Sequence, residues 1–181
     1  MQYESFDENA QKCLIGKVTE EFVRSMRLID KLSNEIYPKI GAHFRHNLDF
    51  ANAFLNGLAA GKLDYEKRER DERIEQNRSY AIEKIGFLIQ RFQDLAQKDL
   101  EKEVSVRSEI DADVWHKSSA MRELEFLLSH TIHHHALVAE KLNNSGVKIA
   151  ADFGVAPSTL KFWKSLEFTL QRETASQARQ F

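Results

Sequence analysis

Residues Ser118–Gly146 read SSAMRELEFLLSHTIHHHALVAEKLNNSG. Ser118 or Ser119 can cap a helix N-terminus, and NNSG closes the stretch with a glycine suited to terminate one. Between these signals Leu124, Leu128, Thr131, His135 and Val138 fall on one face, at the spacing of an amphipathic helix running to about Asn143. This is the fourth of four such segments.

The first runs from about Glu8 to Glu35, with Leu14, Val18, Phe22, Met26, Ile29 and Leu32 at intervals of three and four. It is expected to end before Tyr37-Pro38, since a residue preceding proline is pushed out of helical geometry. The second begins near Gly41, ends around Gly61 and carries Phe44, Leu48, Ala51, Leu55 and Leu58. Asp64–Arg78, DYEKRERDERIEQNR, alternates charges of both signs and reads as a solvated loop entering the third helix. That helix carries Ile82, Ile85, Leu88, Ile89, Phe92 and Leu95. Between Glu101 and Ser119 the period changes. Val104 and Val106 alternate with polar residues, SEIDAD suits a turn and Val114-Trp115 follows, which predicts a short β-hairpin between the third and fourth long helices. Pro157 opens a last helix to about Arg172, and the polar tail, about 173–181, is expected to fray or to extend it. Four long amphipathic helices in one chain imply an all-α four-helix bundle, a single domain over 1–181.

Composition narrows the function classes. A formal net charge of −2 with 30% charged residues gives no general pull towards nucleic acid or an anionic membrane. No 18-residue apolar stretch exists to span a membrane, and the N-terminus lacks the basic start and apolar run of a signal peptide. The single cysteine, Cys13, rules out an internal disulfide framework, so a cytoplasmic location is expected. Because bundle helices often retain an apolar edge, a homodimer is compatible with this reading.

Four of the seven histidines lie between His130 and His135. At about 100° per residue, His130 and His134 share a face one turn apart, the i, i+4 arrangement that brings two imidazoles to one ion. His133 lies to the other side, and His135 falls with the apolar residues as a candidate buried polar group. A third ligand must come from another helix. The second helix offers AHFRHNLD, with His43, His46 and Asp49 at intervals of three, and helical phase alone favours His43. His116, near the predicted hairpin, reads as a surface or capping residue. The competing reading is a set of hydrogen-bonded core histidines.

Several chemistries are excluded. A helical metalloprotease needs glutamate directly after the first histidine, where Thr131 stands. No Glu-x-x-His pair of a ferritin-like di-iron bundle occurs. The positions four after His43 and His46 are Asn47 and Phe50, which removes the His-x-x-x-Glu of a hemerythrin-like carrier. Asp152-Phe153-Gly154 spells a kinase motif without the glycine-rich loop or catalytic loop of a kinase, and reads as a turn before Pro157. In the charged run, Arg68, Arg70 and Arg73 are candidates for binding an anionic substrate, against the more ordinary role of ion pairing.

GAHFRHNLDFANAF, KRERDERIE, RELEFLLSHTIHHHALVAEKL and DFGVAPSTL together resemble the DinB/YfiT-like superfamily of metalloenzymes, over about Ile40–Leu160. The resemblance implies an up-down-down-up four-helix bundle and a divalent ion held by one histidine of the second helix and two spaced four apart on a later one. By motif these are His46, His130 and His134, with His43, Asp49 and His133 as supporting or alternative ligands. It further implies a Zn²⁺, Ni²⁺, Fe²⁺ or Mn²⁺ ion acting on a small-molecule substrate, through an activated low-molecular-weight thiol or water. A transferase or a hydrolase would follow; the alternative is a non-catalytic bundle with a structural metal or a histidine-lined core. Many relatives carry Arg-Gly-Gln after the histidine pair, where this chain has His135-Ala136-Leu137.

Overall fold

In the computed structural model, residues 8–95 and 97–177 are described, and they form a mainly helical structure with one small sheet. The long helices are α1 (Glu8–Lys31), α2 (Gly41–Ala60), α4 (Arg78–Gln93), α6 (Ala120–Asn144) and α7 (Pro157–Gln177). Two single-turn helices, α3 (Arg73–Gln76) and α5 (Gln97–Leu100), flank α4, and a 3₁₀ turn covers Tyr37–Lys39. The strands are β1 (Lys62–Leu63), β2 (Glu103–Arg107) and β3 (Trp115–Ser119).

Helix α1 packs on α4 and α6, and α2 packs on the same two. The seam between them is filled by Phe22, Ile29, Phe44, Phe54, Ile85, Leu88, Phe92, Leu124, Leu127 and Val138, all at most 2% exposed. Burying each such side chain is worth about 1.5–3 kcal/mol before the entropy of ordering is charged against it. Phe92 joins three helices, stacking with Phe22 of α1 at 6.1 Å and Phe54 of α2 at 6.3 Å.

Helix ends follow local chemistry. Ser119, of the two candidate serines, caps α6 by accepting from the Arg122 amide, while Ser118 donates to Glu123. Asn77 caps α4 through the Tyr80 amide. Gly61, at φ 66°, ends α2 in the left-handed conformation that glycine adopts without strain. Helix α1 stops at Lys31, four residues short of the expected Glu35. Ser33 takes over there, its hydroxyl accepting from the Ile36 amide and its carbonyl from the Tyr37 amide. Arg78 of α4 donates to the carbonyls of Asp30 and Leu32, so the loose end of α1 is satisfied from across the fold.

The expected hairpin is present as β2 and β3, paired antiparallel with Val106 opposite His116, and it carries a third strand. Lys62-Leu63 joins β2 in parallel, Leu63 opposite Val106. The charged run is less solvated than its composition suggests. Tyr65 and Ile74 are buried, and the Tyr37 hydroxyl donates to the Ile74 carbonyl at 2.5 Å. Helix α7 opens at Pro157 and continues to Gln177, beyond the expected Arg172; residues 178–181 of the expected tail lie outside the described residues. Its residues 161–169 are exposed, including Phe162, Trp163, Leu166 and Phe168. Among the described residues, no helix is long and apolar enough to cross a membrane.

Candidate metal centre

The packing of α2 on α6 determines which histidines meet. His46 points from α2 into the face of α6 that carries His130 and His134, and one nitrogen from each of the three lies within 4.8 Å of the others. Ring centroids are 5.0 Å apart for His46–His130, 4.5 Å for His46–His134 and 4.7 Å for His130–His134. All three are half-buried. Asn47 tightens the same seam, its amide reaching the Thr131 carbonyl at 3.5 Å.

His43, the choice of helical phase, sits one layer out. Its Nδ1 is 3.0 Å from Nδ1 of His134, so it contacts a member of the trio. His133 is exposed and meets the His134 ring edge-on at 5.4 Å. Asp49 is buried and paired with Arg45 at 2.7 Å, and it is not among the clustered donors. Arg45 also binds Glu75 of α3 at 2.5 Å. His116 is exposed on β3.

The three arginines of the charged run separate. Arg73 is exposed and paired with Asp71, and Arg70 is exposed with a left-handed backbone at φ 52°. Arg68 alone reaches the histidines. Its Nη1 is 3.1 Å from His46 Nδ1, and its guanidinium lies over the Phe50 ring at 5.2 Å.

Aromatic rings wall the cluster. Phe50 stacks on His130 at 4.1 Å and lies 4.6 Å from His46, with Tyr65 stacked behind it and Phe126 5.7 Å from His130. Burial among these rings, and the neighbouring imidazoles, push His46, His130 and His134 each down to about 4. They are therefore neutral near pH 7, the state in which imidazole can bind a metal. His130 Nε2 is buried without a hydrogen-bond partner. A buried orphan of this kind costs about 1–3 kcal/mol unless something fills its lone pair or takes its proton. The three residues are all nitrogen donors, a set that suits zinc, nickel and iron better than magnesium or calcium. They could hold a metal ion.

The fourth histidine of the run has another partnership. His135 is fully buried, with Nε2 2.7 Å from the Ser25 hydroxyl and Nδ1 2.9 Å from Glu21. Burial lowers its pKa although Glu21 opposes this, so the neutral ring donates from Nδ1 to the carboxylate. Phe153 of the DFG turn stacks on it at 4.5 Å. This lock between α1 and α6, the wall residue Phe50 and the bridge Asn47 were not singled out by sequence reasoning. Phe50 alone left a trace, one helical turn after His46.

No protein-family profile matches the chain, and no solved structure matches it significantly. Among curated proteins, FK506-binding protein 5 of Rhizopus delemar is 32% identical over 106 residues, which cover 56% of this chain and 28% of that protein. The chain thus spans a little over a quarter of the length of the relative it matches.

Proposed function

We propose that this chain is a DinB/YfiT-like metalloenzyme, a four-helix bundle of α1, α2, α4 and α6, in which His46, His130 and His134 hold one divalent ion. The observation that carries the reading is a buried, unpartnered nitrogen on His130, a member of a trio of imidazoles from α2 and two turns of α6 that offers one nitrogen each within 4.8 Å of the others. The pairing of α1 and α2 each with α4 and α6 supports the bundle. Little of the FK506 binding named in the curated relative can be carried over, given the share of that protein covered.

A bound divalent cation with three imidazole ligands supplies Lewis acidity at its remaining positions, which lowers the pKa of a thiol or water there. The chain's own residues prepare that chemistry. With Nε2 of His134 on an ion, its Nδ1 would carry the proton and could donate to His43 Nδ1, 3.0 Å away. Phe50, Tyr65 and Phe126 keep water from one side and hold the His130 ring flat against Phe50. Half-burial of the trio leaves the other side open to a small molecule. A thiol-dependent transferase or a hydrolase follows from such a site.

The test uses cobalt(II)-loaded protein and a low-molecular-weight thiol. A sulfur-to-cobalt charge-transfer band that grows with thiol supports an open, thiol-accepting ion. A cobalt spectrum indifferent to both thiol and pH would mark a closed, structural site, the non-catalytic alternative.

A further inference from the structure

Resting on the metal reading above, we infer that Arg68 makes this site selective for a substrate bearing a carboxylate next to the ion. Arg68 Nη1 and His46 Nδ1 are hydrogen-bonded at 3.1 Å. A guanidinium can only donate, so Nδ1 must accept. A neutral imidazole has one acceptor nitrogen, and coordination through either nitrogen removes it. If Nδ1 binds the ion, its lone pair is taken; if Nε2 binds, Nδ1 must carry the proton. Whichever nitrogen His46 uses, Arg68 loses this acceptor when the site is loaded.

What remains around Arg68 does not replace it. Its side chain is 12% exposed, and its Nε is buried with no hydrogen-bond partner. Glu66, half exposed, stands 3.6 Å from Nη2, beyond hydrogen-bond length. Asp49 is close enough to feel the Arg68 charge but is bound to Arg45 at 2.7 Å. Stacking on Phe50 fixes the guanidinium plane without neutralising it. A loaded site would thus join a dication on three neutral ligands to an adjacent, underpaired guanidinium, with no carboxylate among the metal donors. Charge balance and the planar fork of arginine both favour a carboxylate as the missing partner. On its side away from the histidines Arg68 lines a cleft of about 480 Å³ with Lys62 and Lys67 and with the carboxylates Asp64, already held by Arg107, and Glu69.

The experiment titrates acetate, with neutral imidazole as control, into cobalt(II)-loaded wild type, Arg68→Met and Arg68→Lys, following the visible cobalt spectrum. Losing a charge-assisted hydrogen bond at a part-buried site should weaken acetate binding about tenfold to a hundredfold in Arg68→Met. Arg68→Lys should lose less, and imidazole affinity should stay within about twofold across all three. Arg68→Gln replaces Arg68→Met if the latter does not fold. Equal acetate affinity in the wild type and the uncharged variant, with cobalt bound in both, would overturn this inference and leave the metal reading standing. Failure of the wild type to take up cobalt would overturn both.

Discussion

His135 stands one position beyond a proposed ligand and does a different job. Buried between Ser25 and Glu21 under Phe153, it ties α1 to α6 by hydrogen bonds to both ring nitrogens. Replacing it with alanine leaves a cavity and strands a carboxylate and a hydroxyl. His135→Ala should therefore cost about 2–4 kcal/mol in a denaturant melt while leaving metal stoichiometry at the wild-type value. Concurrent loss of the ion would mean that the lock also aims the ligands. The trio itself makes a pH prediction for protein stripped by chelator. His46, His130 and His134 sit near 4 when folded, through burial first and mutual repulsion second, against about 6.5 when unfolded. Between those values the unfolded chain binds more protons, so stability rises with pH through the window and is lost as pH falls from about 6.5 towards 4. A thermal melt series should show this slope, and His46→Asn should flatten it. In the folded, loaded protein, protons should compete for the ligand nitrogens only as pH approaches about 4 and below.

At the scale of elements, the apolar stripes of α1, α2, α4 and α6 were legible because each repeats at three and four residues over several turns. The same periodicity put His130 and His134 on one face. On α2 it favours His43 over His46, although the two are only three residues apart and both lie towards α6. The rotation of α2 that buries Asn47 and Phe50 places His46 innermost, and that rotation is a product of packing. Strand β1 was invisible since two residues carry no alternation, and the early stop of α1 depends on Arg78, 47 residues beyond Lys31. The turn that leads into α7 depends on a glycine. Gly154 has φ 75°, and a Cβ there would stand 2.4 Å from the Ala136 nitrogen and 2.6 Å from the His135 carbonyl carbon. Gly154→Ala should destabilise the fold by about 1–3 kcal/mol, from backbone strain and the lifting of Phe153 off His135. Increased accessibility of His135 to hydrogen exchange would report that lifting.

Over the whole molecule, the structure divides into a packed helical body and α7, whose residues 161–169 are exposed. Truncation after Val155 should change the stability of the body by less than about 1 kcal/mol, measured by urea denaturation followed at helix signal. A larger loss would show that α7 packs where the described residues do not place it. Long helices and a paired histidine were readable from sequence at this scale; the exposed position of α7 was not, since its Phe162, Trp163 and Leu166 spacing matches that of a buried helix. The central claim is that His46, His130 and His134 form one metal site. Its most direct test is elemental analysis of protein purified without chelator or nickel resin, together with the three single alanine variants, each checked for helical content. The account predicts one divalent ion per wild-type chain and its loss from every variant that remains folded. Wild-type protein without a stoichiometric ion, or folded variants that keep it, would contradict the account.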